Sequence, residues 1–144
     1  MTADIYTKIA IAPEEVKRIG LVGTGTIGSA WAAHFLAQGL DVMATDPHPE
    51  AEKKLRTAVD NAWPSLEQLG LAKGASRNRL SFTTSIDIAL KDAHFIQEST
   101  PESNDIKDKV MVAISKAARS DVIIASSTSN IVPTRLQAQC KNPQ

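Results

Sequence analysis

Residues 17–28 read Lys17-Arg18-Ile19-Gly20-Leu21-Val22-Gly23-Thr24-Gly25-Thr26-Ile27-Gly28, an apolar run that breaks into three glycines spaced G-x-G-x-x-G. The first half has the length and character of a buried strand stopped by glycine. The second half opens a helical pattern with apolar residues at Ile27, Ala30, Trp31 and Phe35, closed by Gly39. Asp41-Val42-Met43-Ala44-Thr45-Asp46 follows as a second strand ended by Pro47, so strand, helix and strand have the size of one βαβ unit. In that setting the three glycines have separate tasks. Gly23 permits the tight turn, Gly25 lets the backbone approach a pyrophosphate with no Cβ in the way, and Gly28 lets the helix pack on the sheet. Thr26, Ile27 and Gly28 begin that helix, whose N–H groups and positive dipole end face the phosphates.

Asp46 ends the second strand, where a carboxylate accepts the ribose hydroxyls of an adenosine. The same carboxylate repels a 2′-phosphate, and Pro47, His48 and Pro49 include no arginine to hold one. NAD is therefore favoured over NADP. Lys53, Lys54 and Arg56 come later and read as the solvated face of the next helix. FAD and nucleotide sugars use the same glycine pattern, but nothing downstream supports either.

Further along, apolar residues at Ala51, Leu55, Ala58, Val59, Ala62, Trp63 and Leu66 mark one helix face, with Pro64 placed to kink or split it. Leu80–Thr83 reads as a third strand, and Ile86–Asp92 as a short helix capped by Ser85. His94–Glu98 is a fourth strand, and Thr100-Pro101-Glu102 a helix start with Thr100 as cap. Ile106, Val110, Ala113, Ile114 and Ala117 are then expected in the core. Val122–Ala125 is a fifth strand, ahead of Ser126-Ser127-Thr128-Ser129-Asn130, and Pro133 opens a last short helix near Cys140. Strands and helices alternate, and the strands are continuously apolar, which predicts an α/β fold of Rossmann type, a doubly wound parallel sheet. Residues 17–144 form the predicted nucleotide-binding domain, with 1–16 as a loosely held leader.

The chain has 144 residues, 42% of them apolar and 22% charged, as expected of one soluble domain with its own core. Sixteen basic residues balance sixteen acidic ones with no basic block, which argues against a nucleic-acid or anionic-membrane binder. No apolar run reaches the ~20 residues of a membrane span, and the first residues lack the order of a secretion signal. A single cysteine, Cys140, suits a reducing cytoplasm and excludes an internal disulfide framework. His34, His48 and His94 are scattered, without zinc spacing, so no metal is expected. His34 shares the spacing of the first helix's apolar residues and reads as a packed core histidine. His48 falls near the adenosine, and His94 at the sheet end opposite the ligand.

Ligands of this architecture bind outside the carboxyl ends of the strands, where the strand order reverses. Two polar segments fall at such ends, Gln97-Glu98-Ser99-Thr100 and Ser126–Asn130. On physical grounds Glu98 equally suits an ion-pair partner of the next helix, and turn chemistry accounts for most of the serine string.

Taken together, the glycine loop with Ser29 and Trp31, Asn61-Ala62-Trp63-Pro64, Gln97-Glu98-Ser99, Pro101-Glu102 and Ser126-Ser127-Thr128-Ser129 resemble the 3-hydroxyacyl-CoA dehydrogenase superfamily. The branch they resemble most is that of the bacterial L-carnitine dehydrogenases. The resemblance implies an NAD-dependent oxidation of the 3-hydroxyl of L-carnitine to 3-dehydrocarnitine, by a cytoplasmic homodimer with a second, helical domain. It places Glu98 beside the nicotinamide ribose and Ser129 on the substrate hydroxyl, and aligns Ser127 with an asparagine of the hydroxyacyl-CoA enzymes. It also implies a general-base histidine on a strand beyond Gln144, so that this chain alone binds NAD without turning over substrate. Only 4% of residues are aromatic, so a cage for a quaternary ammonium has to come mainly from the second domain. The alternatives are an L-3-hydroxyacyl-CoA or L-gulonate 3-dehydrogenase, and a free-standing NAD-binding sensor. Continuation of the reading frame into a histidine-bearing strand separates enzyme from sensor.

Overall fold

Strand β1 (Arg18–Val22) occupies the middle of a five-stranded sheet ordered β3-β2-β1-β4-β5. Its partners are β2 (Asp41–Thr45) and β4 (Phe95–Glu98), with β3 (Leu80–Thr83) and β5 (Ile123–Ser126) at the edges. Every pairing is parallel. The helices are α1 (Thr26–Ala37), α2 (Ala51–Leu69), α3 (Ile86–Leu90), α4 (Asn104–Ala117) and α5 (Pro133–Gln137). The computed structural model describes residues 11–141. Of the expected leader, residues 1–10 lie outside the described residues, and Pro13–Glu15 form a single 3₁₀ turn ahead of β1.

The sheet separates two cores, which is why its strands are apolar along their length. On one face Ile19, Leu21, Val42 and Ala44 pack against Ala33 and Leu36 of α1 and Leu55, Val59 and Trp63 of α2. On the other, Val22 and Ile96 meet Leu90 of α3, Met111 and Ile114 of α4, and Leu136 of α5. Strand order reverses between β1 and β4, whose registers match Val22 with Glu98. The carboxyl ends of these two strands therefore frame the crevice. Among the described residues no helix is long and apolar enough to cross a membrane.

Helix α1 is rotated from the face its large apolar residues predict. Gly28, Ser29, Ala32, Ala33, Leu36 and Ala37 are buried, whereas Ile27 is 55% and Trp31 37% exposed. Small side chains face inward because the helix lies close against the sheet. His34 consequently lies on the outside, exposed beside Trp31 and not packed in the core. Trp31 stacks on Phe35 at 5.2 Å between ring centroids.

Three further expectations are corrected. Pro64 does not split α2, which runs unbroken through it. The proline ring sits on the exposed side, while Leu55, Val59 and Trp63 continue the buried face, so the one hydrogen bond lost is absorbed within a packed helix. Thr100 does not cap α4, whose N-cap is Ser103. The Thr100 N–H and hydroxyl are already given to Glu98, and Pro101 lies in the connecting turn. On α4 itself Ile114 is buried as expected, but Ile106 is 41% exposed and Lys107 takes the inward position.

Candidate functional site

The glycine loop leaves β1 through Gly23, whose N–H donates to the Thr45 carbonyl at 3.0 Å. Gly23 has φ +89°, and a Cβ there would lie 2.7 Å from the Ser99 carbonyl, across the crevice on the β4 side. A Cβ at Gly28 would lie 2.0 Å from the Gly23 carbonyl oxygen. Both positions exclude side chains for reasons internal to the fold. Gly25 is different: a Cβ there would meet nothing within 4 Å. It is the N-cap of α1, with no side chain capping the helix and no acidic residue in the first turn. Thr26 and Ile27 of that turn are exposed. Open space over uncapped N–H groups at a positive dipole end is a setting that receives an anion such as a pyrophosphate.

Asp46 follows β2 directly and turns back onto this loop. Its Oδ2 accepts the Thr24 N–H at 3.0 Å and the Thr24 hydroxyl at 3.1 Å, and its Oδ1 accepts the His48 N–H at 2.9 Å. An ionised carboxylate has about four acceptor positions, so these contacts hold the group still and leave Oδ1 able to take a further hydroxyl. The loop is braced from within by the Ser29 hydroxyl, which donates to the Thr24 carbonyl at 2.9 Å.

Glu98, across the crevice, is completely buried. Lys107 Nζ, itself 1% exposed, donates to both carboxylate oxygens at 2.9 and 3.1 Å. The Thr100 N–H and hydroxyl donate to Oε1, and the Ser126 hydroxyl donates to Oε2. Burial pushes the Glu98 carboxyl up, but the hydrogen bonds from Ser126, Thr100 and Lys107 together outweigh it and hold it below the ordinary glutamate value. The ion-pair reading of Glu98 thus holds in the structure. Lys107, its cation, went unnoticed in the sequence, where it looks like any other solvated lysine of a helix.

The serine string divides by position. Ser126 serves Glu98. The Ser127 hydroxyl lies 2.8 Å from Gln97 Nε2 and 3.0 Å from the Ser99 hydroxyl, turned into the junction of β4 and β5. Ser129 is exposed and borders a cleft of about 460 Å³ whose apolar wall includes Met111, Ile124, Ile131 and Leu136. Glu102, from the β4–α4 connection, accepts the Thr128 hydroxyl and the N–H groups of Ser129 and Asn130. The Thr128 hydroxyl and the Asn130 N–H, followed by the Ser129 N–H and the Lys107 charge, hold its carboxyl below the ordinary value against a smaller upward effect of burial. Sequence reading placed Glu102 in a helix start and gave it no part here.

Among the described residues no histidine hydrogen-bonds to Glu98, Glu102 or the serine string. His34 lies on the outer face of α1, and His48 follows Asp46. His94 is at the opposite end, where its Nδ1 accepts the Lys17 N–H at 3.1 Å.

Residues 18–144 match the family described as 3-hydroxyacyl-CoA dehydrogenase, NAD binding domain. The L-carnitine dehydrogenase of Streptomyces griseus is 49% identical over 132 residues, covering 92% of this chain and 39% of the relative. That of a Pseudomonas species is 50% identical over 129 residues, covering 90% and 40%. Among solved structures, 5-formyl-3-hydroxy-2-methylpyridine 4-carboxylic acid 5-dehydrogenase superposes with a TM-score of 0.80 at 33% identity, over 89% of this chain and 42% of its own. The (S)-3-hydroxybutyryl-CoA dehydrogenase of Ralstonia eutropha gives 0.79 at 30%, over 89% and 46%. The chain spans about two fifths of the length of the curated relatives it matches. With this family match over nearly its whole length, a parallel sheet ordered β3-β2-β1-β4-β5 and a glycine loop at the switch point, the chain belongs to the NAD-binding domains of the 3-hydroxyacyl-CoA dehydrogenase family.

Proposed function

We propose that this chain is the NAD-binding part of a dehydrogenase that oxidises the 3-hydroxyl of L-carnitine to 3-dehydrocarnitine. The observation that carries the substrate is the identity of about half, over nine tenths of the chain, to proteins named L-carnitine dehydrogenase. In this reading Gly23, Gly25, Thr26, Ile27 and Gly28 receive the pyrophosphate, and Asp46 the adenosine ribose. The open space at Gly25 and the carboxylate of Asp46 suit that group and disfavour a 2′-phosphate. Glu98, buried and bonded on both oxygens, anchors the crevice beneath the nicotinamide ribose. Ser129 orients the substrate hydroxyl at the rim of the apolar cleft. Bound NAD supplies the acceptor for the hydrogen leaving the substrate carbon.

Removing the hydroxyl proton needs a base near its own oxygen. Glu98 is taken by Lys107, a serine hydroxyl is too weak a base at neutral pH, and no described histidine is at hand. The base therefore belongs to the part of the relatives' length that this chain does not span, as does the rest of the substrate cavity. The whole protein is proposed to be a cytoplasmic homodimer acting on a small molecule.

The test is to express the natural reading frame that contains this chain and follow NAD reduction with L-carnitine, 3-hydroxybutyryl-CoA and L-gulonate in parallel. L-Carnitine should exceed the other two in kcat/KM by an order of magnitude or more. A preference for either competitor moves the protein to that branch, and no reaction with any of the three removes the dehydrogenase reading.

A further inference from the structure

Gln97 precedes Glu98 on β4 and is 4% exposed. Side chains alternate along a strand. Phe95 packs into the core on the α1 and α2 side and Ile96 into the other, so Gln97 points to the α1 side. Leu21 of β1 and Ala125 of β5 flank it in register. Its Nε2 donates to the Glu98 carbonyl at 3.1 Å and to the Ser127 hydroxyl at 2.8 Å. A carbonyl only accepts, so the first contact identifies the nitrogen end of the amide. The Ser127 hydroxyl also lies 3.0 Å from that of Ser99. Both serines are held by the sheet, the Ser99 N–H on the Val22 carbonyl at 2.8 Å and the Ser127 N–H on the Glu98 carbonyl at 2.9 Å.

The hydrogen bonds of this cluster leave a remainder. Among the described residues nothing donates to Gln97 Oε1, and no fully buried side-chain oxygen lacks a partner, so Oε1 opens on solvent. The two serine hydroxyls carry two protons, of which one is shared between them and the other meets no acceptor among the described residues. One acceptor and one donor, on different residues, therefore face outward at the carboxyl ends of β4 and β5. A primary carboxamide is their complement, since it donates through N–H and accepts through C=O on two separate atoms. A hydroxyl carries both functions on one oxygen, and a carboxylate only accepts. The topology brings such a group to this place. Asp46 sets the adenosine half of NAD over β2 and Gly25 the pyrophosphate beside β1, so the nicotinamide half continues toward β4 and β5. We infer that Gln97 and the Ser99–Ser127 hydroxyl pair receive the nicotinamide carboxamide: Oε1 accepts its N–H, and the spare hydroxyl proton goes to its carbonyl oxygen. The assignment rests on the nucleotide site described above. Holding the carboxamide stops the ring from rotating about its bond to the ribose, and so turns one ring face toward the substrate.

The test is calorimetric titration of the protein made from the full reading frame with three ligands. These are NAD, its 3-acetylpyridine analogue, in which a methyl replaces the carboxamide NH₂, and ADP-ribose, which lacks the ring. The unsubstituted protein should bind the analogue roughly three- to tenfold more weakly than NAD, the size of one hydrogen bond. Gln97→Met removes the acceptor. It should weaken NAD to about the level of the analogue and leave ADP-ribose within about twofold. The double substitution Ser99→Ala with Ser127→Ala removes the donor to the carbonyl that both dinucleotides keep. It should weaken NAD and the analogue alike, preserving the gap between them, again with ADP-ribose unmoved.

Equal affinity of the unsubstituted protein for NAD and the analogue overturns the proposal. So does a loss in Gln97→Met that ADP-ribose shares in full, which would put the cluster against the ribose or in the fold alone. Melting by circular dichroism shows whether each variant folds. If Gln97→Met does not, the gap in the unsubstituted protein and the double serine variant still decide. Binding of ADP-ribose without discrimination at the carboxamide removes only this assignment. Binding of neither NAD nor ADP-ribose contradicts the nucleotide site itself, and this assignment with it.

Discussion

Gly25 and Gly28 stand three positions apart and answer to different neighbours. The space beside Gly25 is empty, and its φ of −65° suits any residue, so the chain itself does not require glycine there. Gly25→Val is expected to fold with an unchanged denaturation midpoint and to lose NAD affinity by at least about tenfold, about 1.4 kcal/mol. Gly28→Ala is expected to do the reverse first, losing about 1–3 kcal/mol of stability as its methyl meets the Gly23 carbonyl. Calorimetric titration and urea unfolding of both variants check the pair, and unchanged NAD binding by a folded Gly25→Val protein would reduce the loop to a turn. At Asp46, replacement by alanine removes the acceptor for a ribose hydroxyl and the charge that opposes a 2′-phosphate. The preference for NAD over NADP should narrow by about 1–3 kcal/mol, and equal affinity for both cofactors before substitution would contradict the role. These residues stand out in the sequence because the spacing of the glycines after an apolar strand, and an acid at the end of the next one, form a pattern along the chain. Lys107 and Glu102 do not, because a lysine or glutamate acquires its meaning only from what lies opposite it in space.

Among the elements, strand positions were read to within a residue, since a buried parallel strand leaves an uninterrupted apolar run such as Ile19-Gly20-Leu21-Val22. Helix faces were less legible. In α1 the inward residues are mostly glycine, serine and alanine, so size-weighted patterning points to Ile27 and Trp31, the exposed side. In α4 an ionic side chain occupies the first inward position and the apolar Ile106 sits outside. That position carries a prediction of its own. Lys107→Met leaves Glu98 fully buried without its cation, and removing one partner of such a pair costs about 3–5 kcal/mol. Urea unfolding measures the loss, and a Lys107→Met protein as stable as the unsubstituted one would mean that Thr100 and Ser126 alone satisfy the carboxylate.

For the whole molecule, the carboxylates held below their ordinary values set the response to acid. Glu98 and Glu102 start from 4.5 and Asp121, paired with Arg119, from 3.8. A carboxyl with a lower folded than unfolded value binds its proton more readily when unfolded. Its contribution is therefore complete above the unfolded value and is lost as pH falls through the folded one. Thermal stability should begin to drop below about pH 4.5 and continue downward, with Glu102→Gln showing a shallower fall. A fall of equal steepness in the variant would exclude Glu102 from the effect.

The distribution of aromatic residues has an optical consequence. Both tryptophans belong to the α1 and α2 side of the sheet, Trp63 within that core and Trp31 on the outer surface of α1. Emission from Trp63 shifts to the red when that core opens, whereas Trp31, already partly wetted, reports little. The core on the α3 and α4 side contains no tryptophan and is silent in fluorescence. Circular dichroism, by contrast, sums helices from both sides. Coincident melting curves by the two methods would show that the sheet's faces come apart as one cooperative unit. A separation between the curves would identify the face that yields first.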